Sequence, residues 1–166
     1  MIPTSHTNGT SMPNSSPIAK LAILSNNPFL FSPLFESFYE ALGIKERSLL
    51  LAYLVLPLVL PPPSQALLVG RSRKKYFRTF VEDPNFFAGL PSRIGNRRHL
   101  TNLCLQHNLN LGVLAIQAPA TMVYKNRGPA TRYCPQRLRD AAANLGELCS
   151  PHSVPTIYLQ LGIKRL

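Results

Sequence analysis

The sequence has few acidic side chains. Seven carboxylates stand against 18 lysines and arginines in 166 residues, and only two of the seven are aspartates. Paired carboxylates carry out general acid–base catalysis and clusters of them hold hard cations, so this scarcity argues against both kinds of site. We therefore expect no catalytic residues, and the formal net charge of +11 favours contacts with anionic surfaces.

Motifs for metals, nucleotides and activated nucleophiles are also missing. The three cysteines, Cys104, Cys134 and Cys149, show no C-x-x-C spacing, and the four histidines show no ligand spacing. The nine glycines form no phosphate-binding loop, and no serine stands in a G-x-S-x-G turn. We expect no metal, no cofactor and no enzyme activity. The unpaired cysteines predict a reducing compartment, the cytoplasm.

The chain divides into a polar tail and one predicted domain. Residues 1–17 contain no charged side chain and no apolar run, which predicts a disordered tail rather than a secretory signal. The length of the remainder, residues 18–166, predicts a single domain.

One uncharged stretch has two interpretations, a membrane span or a buried helix. Residues 49–60 are almost purely aliphatic. Twelve helical residues cover only about 18 Å, against about 30 Å of hydrocarbon in a bilayer. Three consecutive prolines at positions 61–63 end any helix there. We predict a buried central helix and no membrane contact.

Apolar periodicity and capping residues predict a mainly α fold of the α+β class with one hairpin. Helices are expected over residues 33–42, 46–58, 74–82, 96–108, 135–148 and 153–162, with Ser32 and Asn96 as N-caps. Two β-rich runs, 111–117 and 120–125, predict the hairpin. The buried face of the first helix is expected to comprise Phe31, Leu34, Phe35, Phe38 and Leu42. Within about 71–126, the order helix, helix, hairpin predicts a winged helix-turn-helix with the hairpin as its wing.

Two sets of side chains are candidates for partner contact. The helix over 46–58 is apolar on nearly every side, so part of it is expected under a partner protein. The candidates there are Leu50, Tyr53, Leu54 and Leu58. Residues 71–98 carry eight basic side chains against two acidic ones: Arg71, Arg73, Lys74, Lys75, Arg78, Arg93, Arg97 and Arg98.

The basic set leaves three alternatives open: contact with phosphate, pairing with an acidic partner surface, or a solvated face. Arg97 and Arg98 follow the predicted N-cap Asn96. Cations at a helix N-terminus oppose the helix dipole, and a phosphate bound there would relieve that conflict.

The order of five segments resembles a known family, the small middle component of three-component ABC ATPase systems, which include Lamassu-type anti-phage and anti-plasmid defence. The segments are the Asn27-Pro28 opening, the aliphatic run with Leu-Pro-Leu, and the basic stretch with Arg73, Asp83-Pro84 and Arg93. Residues 97–125 and the ending, AAANLG followed by IYLQLGIKRL, complete the series.

This resemblance implies a non-enzymatic adaptor. In such systems an SMC-like ABC ATPase senses foreign double-stranded DNA, and the middle component bridges it to an effector subunit, often a nuclease. The basic face would then contact the DNA backbone within the complex. The alternative function is a stand-alone winged-helix DNA-binding regulator.

Overall fold

The computed structural model describes residues 26–70, 76–126, 128–129 and 133–163. The predicted tail over 1–17 and four basic candidates, Arg71, Arg73, Lys74 and Lys75, lie outside the described residues. The fold is mostly helical with one antiparallel hairpin, as predicted. The elements are α1 (Pro28–Leu42), the 3₁₀ turn η1 (Ser48–Leu51), α2 (Ala52–Val59), α3 (Pro62–Val69), α4 (Phe77–Val81), α5 (Pro84–Phe87), α6 (Leu90–Asn110), β1 (Leu114–Gln117), β2 (Thr121–Tyr124), α7 (Gln136–Cys149) and α8 (Val154–Gln160).

Helix α1 begins five residues earlier than predicted. The expectation that Ser32 caps it is wrong, because the same cap-then-proline signature already occurs at Asn27-Pro28. The Asn27 side chain accepts a hydrogen bond of 3.0 Å from the N–H of Phe29. Ser32 lies inside the helix, where its Oγ donates to the Pro28 carbonyl. The predicted apolar face is confirmed, and all five of its residues are buried.

The aliphatic run forms two short elements rather than one helix. The predicted start near residue 46 is wrong, since the chain makes the turn η1 before α2 begins at Ala52. Helix α2 ends at Val59, as the prolines at 61–63 predict, because they supply no N–H to continue it. The same prolines then open α3, since proline is well tolerated in a first helical turn. Helix α3 is not among the helices expected from the sequence.

The predicted burial of the aliphatic run is confirmed. Among the described residues, no single helix is long and apolar enough to cross a bilayer. The pair Ser48–Val59 and Pro62–Val69 passes by joint length and composition but is bent by 105°. Helices α1, α6 and α7 all pack on α2. They leave Leu54 only 1% and Leu58 0% exposed, so these two candidates for a partner interface are core residues of this chain.

Helix α6 is also longer than predicted. The expected N-cap at Asn96 is wrong, because the helix starts at Leu90, with Gly89 before it in the left-handed conformation (φ 65°) and Pro91 in its first turn. Arg97 and Arg98 therefore lie in the helix interior. The conflict with the helix dipole expected for them does not arise. Helix α6 packs along both α1 and α2.

The predicted hairpin is present and is anchored to the helical body. Its strands pair antiparallel from Leu114 opposite Tyr124 to Gln117 opposite Thr121. In the turn, the carbonyl of Pro119 accepts from Arg47 N at 3.2 Å and that of Ala120 accepts from Leu49 N at 3.0 Å. The N–H of Met122 in β2 donates to Ser48 Oγ at 2.9 Å. The hairpin turn is thereby tied to the segment that leads into α2.

Helices α7 and α8 close the core over the first third of the chain. The predicted bounds of both helices hold to within two residues. Helix α7 lies along α1, and Gly146 marks the closest approach: a Cβ there would collide with the carbonyl oxygen of Phe38 and lie 3.2 Å from the Cβ of Ala41. The Lys45 ammonium donates to the carbonyls of Ser150 and His152, at 3.0 and 2.7 Å, just past the end of α7.

A methyl group at Gly146 tests this close approach. We expect Gly146→Ala to lower the free energy of unfolding by about 1–3 kcal/mol, because overpacking a tight helix pair shifts backbone. Gly95 in α6 is the matched control, since a Cβ there meets nothing within 4 Å. Gly95→Ala is expected to raise stability by up to about 1 kcal/mol through helix propensity. Urea unfolding followed by circular dichroism measures both, and equal stabilisation by the two changes would contradict the packing.

Candidate functional site

Arg93, in the first turn of α6, joins three helix ends. Its Nη1 donates to the carbonyl of Pro57 at 2.9 Å and its Nη2 donates to the carbonyl of Phe86 at 2.7 Å. In a continuous helix the Pro57 carbonyl would accept from residue 61, but Pro61 has no N–H. The guanidinium supplies that missing donor. Burial lowers the pKa of Arg93 from its ordinary value, and the residue is partly buried.

A groove of about 390 Å³ lies beside Arg93, between the end of α2 and the start of α6. We call it the proline groove. Its apolar side consists of α2 and the proline triplet, and its polar side consists of α6. Pro62 and Asn96 are exposed, whereas Leu56 and Pro57 are buried. The lining residues are Leu56, Pro57, Leu60, Pro61, Pro62, Arg93, Asn96 and Arg97.

Toward the other end of the same helix pair, two tyrosines and an arginine meet at the surface. The Tyr53 hydroxyl donates to Oδ1 of Asn102 at 2.9 Å, and the Arg98 guanidinium lies 6.0 Å from the centre of the Tyr53 ring. The Tyr158 hydroxyl donates to the carbonyl of Leu50 at 2.6 Å. We call these five residues the tyrosine patch. Leu50 is 38% exposed, and the two tyrosines are half-buried.

The elements that build both surfaces contain no acidic residue. No aspartate or glutamate occurs between Arg47 and Glu82, or between Asp83 and Asp140. The charged side chains of helices α2, α3 and α6 are therefore all arginines: Arg93, Arg97 and Arg98. A surface of this kind favours a partner that brings carboxylates or phosphates.

The structure brings together some of the predicted contact residues and separates others. In the tyrosine patch, Tyr53 from the apolar set contacts Arg98 from the basic set, and Leu50 contacts Tyr158. Arg93 and Arg97 line the proline groove. Arg78 lies on α4, where it forms an exposed ion pair of 2.9 Å with Glu82. Exposed pairs one helical turn apart contribute little to stability.

The cysteines are buried thiols. Burial raises the pKa of Cys104 and of Cys149 to about 12 and that of Cys134 to about 11. At neutral pH each is protonated, and the thiolate is the nucleophilic form. Among the described residues, no group of three or more His, Cys, Asp or Glu side chains is placed to hold a metal ion.

The acidic side chains are dispersed over the described part of the chain. Glu36, buried in α1, accepts from the backbone N–H of Gly128 at 2.9 Å. Asp140 accepts from the Gln136 amide on α7. The Glu36 bond joins α1 to the segment after the hairpin, and the Asp140 bond lies within α7.

Comparison with known families adds an independent observation. The sequence matches the model described as ABC-three component (ABC-3C) system Middle Component 3 over residues 15–165. The chain belongs to this family. It is therefore a middle component of an ABC three-component system, as the order of segments predicted, and a partner of the other components. Comparisons with curated proteins and with solved structures each return no match.

Several residues of the two surfaces of this middle component were not candidates from sequence. Asn96 was expected to cap a helix, and Tyr158, Asn102 and Leu60 were not among the candidates for partner contact. The absence of acid across α2, α3 and α6 was a visible signal. The antiparallel packing of α2 on α6 left no such signal in the sequence. That packing places Tyr53 near Asn102 and Pro57 near Arg93.

The structural role of Arg93 predicts a stability difference between neighbouring arginines of the middle component. Arg93→Met removes two charge-assisted hydrogen bonds to carbonyls, and such bonds are each worth about 1.5–3 kcal/mol. We expect a loss of roughly 2 kcal/mol or more in the free energy of unfolding. Arg98→Met, at an exposed position further along α6, is the matched control and is expected to cost under about 1 kcal/mol, because its contact with the Tyr53 ring is an exposed cation–π contact. Urea denaturation of both variants measures the difference. Equal losses in the free energy of unfolding would contradict the structural role of Arg93.

The buried thiols predict that the middle component loses stability in alkali. The unfolded chain ionises its cysteines near their ordinary pKa, about 8.5, whereas folded Cys104 and Cys149 stay protonated up to about pH 12. Stability is therefore complete below about pH 8.5 and falls as pH rises toward 12, at up to about 1.4 kcal/mol per pH unit for each thiol.

Cys149→Ala isolates one contribution to this decline. Urea unfolding under reducing conditions, repeated at several pH values from 8 upward, should give a shallower slope for Cys149→Ala than for the unsubstituted chain. The comparison uses slopes because the substitution also changes packing. An identical slope would contradict a buried, protonated Cys149.

Proposed function

We propose that this middle component is a non-catalytic adaptor. It bridges an SMC-like ABC ATPase to an effector subunit, a nuclease, in a cytoplasmic defence system of the Lamassu type. Membership of the middle-component family supports a role within a multi-subunit assembly. The protonated cysteines and dispersed carboxylates support a role without chemistry of its own.

The observation that carries the proposal is the tyrosine patch. Tyrosine and arginine dominate the hot spots of protein interfaces, because each combines a large apolar contact area with a directional polar group. Here Tyr53 and Tyr158 are held by hydrogen bonds, and Leu50 lies beside them with more than a third of its surface exposed. Side chains already held in place lose less conformational entropy when a partner binds.

Contact with double-stranded DNA is the second part of the proposal and belongs to the assembled complex. The formal net charge of +11 supports this part of the proposal, because phosphate contacts are made by lysine and arginine side chains. Such contacts position a protein on DNA without reading sequence. A stand-alone regulator would instead use the hairpin as a projecting wing, and the hydrogen bonds from Arg47 and Leu49 to the turn weigh against that alternative.

Co-purification with the other two components tests the adaptor function. Tyr53→Ala combined with Arg98→Ala removes the centre of the tyrosine patch. We expect recovery of the complex to fall at least about tenfold, which corresponds to roughly 1.4 kcal/mol. The double variant Tyr76→Ala/Arg78→Ala is the matched control, because it removes an exposed tyrosine and an exposed arginine from another part of the fold.

Circular dichroism of both double variants checks that they fold. The complex, and not the purified middle component, should hydrolyse ATP and cleave DNA. Recovery of the unsubstituted chain alone, as a dimer that binds a palindromic DNA site, would contradict the adaptor function and favour the regulator.

A further inference from the structure

The proline groove is separate from the tyrosine patch and has a different chemistry. Its volume of about 390 Å³ lies in the range of specific ligand sites, about 300–1,000 Å³. This is room for a few side chains rather than for a whole helix. One side offers Leu60, Pro61 and Pro62 as a half-buried to exposed apolar wall, and the other offers two guanidinium groups and the Asn96 amide.

The two arginines are one helical turn apart on the same face of α6. Arg93 is fixed by its bonds to Pro57 and Phe86, so its charge is already in place before any ligand binds. No carboxylate occurs in α2, α3 or α6 to neutralise it. Within the described residues, Arg93 is bound only to carbonyl dipoles, and a partly enclosed cation of this kind attracts an anionic group. Arg97 lines the same groove.

We propose that the proline groove receives a short segment of a partner component in which a carboxylate side chain stands beside an aliphatic one. The carboxylate lies toward Arg93 and Arg97, and the aliphatic side chain packs on Leu60 and Pro61. This inference rests on the proposed adaptor function and adds the chemistry of one of its contacts.

The apolar wall favours a peptide over a phosphate chain. Burying Leu60 and the prolines under a partner gains free energy only if the partner also brings apolar surface. A DNA backbone brings none at the phosphates and would leave that wall exposed to solvent. An acidic segment with an adjoining leucine, isoleucine or valine satisfies both sides of the groove.

Two substitutions separate these occupants. Arg97→Glu reverses the charge, and Leu60→Lys adds positive charge while it removes the apolar contact. The probe is the pair of other components, purified together, with binding measured on an immobilised partner at two salt concentrations. We expect each substitution to weaken binding at least about tenfold. Arg137→Glu on α7 and Leu111→Lys after α6 are the matched controls, both at exposed residues, and each should change binding less than about twofold.

A photo-crosslinking residue in place of the exposed Asn96 gives a second measurement, which does not depend on an energetic effect. Crosslinks are expected on a partner peptide that contains aspartate or glutamate, and the same residue in place of Gln106 is the control. Normal binding by both groove variants, or an intact complex without a peptide crosslink at Asn96, would overturn the inference and leave the adaptor function standing. With duplex DNA added to the assembled complex, stronger DNA binding by Leu60→Lys and crosslinks from position 96 to DNA would overturn it in favour of phosphate. Failure of the unsubstituted chain to bind the partners would contradict the adaptor function itself.

Discussion

Three consecutive prolines have no backbone N–H with which to continue α2. The surface of the molecule depends on which other group donates to the carbonyl that is left without a partner. The chain turns sharply at the triplet and resumes as α3. Arg93 satisfies the carbonyl of Pro57 and at the same time contacts the carbonyl of Phe86. This single guanidinium therefore fixes where α2 ends relative to the start of α6. The proline groove and the tyrosine patch both lie along that helix pair.

The middle component combines a strongly apolar interior with a cationic, acid-free exterior on the same two helices. Leu54 and Leu58 face the core, and Tyr53, one residue before Leu54, faces the surface with Arg98 over its ring. A helix that is buried on nearly all sides can still present one polar-tipped side chain, because tyrosine keeps its ring in contact with the protein and its hydroxyl outside. Rigid packing beneath the surface holds these contacts ready for a partner.

Local signals in the sequence predicted which helices and strands form better than they predicted where these elements begin and end. The α1 face, the hairpin, α7 and α8 follow from periodicity and turn residues, and these predictions are confirmed. The starts of α1 and α6 were displaced because two cap signatures compete within a few residues, and tertiary packing selects between them. Leu50, Tyr53, Arg93, Arg97 and Arg98 were all candidates from sequence. Their division into two surfaces was not predictable, because it depends on the antiparallel docking of α2 on α6.

The ties between the two ends of the chain have a consequence for synthesis on the ribosome. The Tyr158 hydroxyl reaches Leu50, Lys45 reaches the His152 carbonyl, and α7 packs on α1. These long-range contacts form only after the C-terminal residues emerge. At translation rates of about 5–20 residues per second, roughly 5–20 s pass between the synthesis of α2 and the synthesis of the helix that completes its burial. During that interval the nascent chain displays its most apolar segment to chaperones and to any partner translated alongside it.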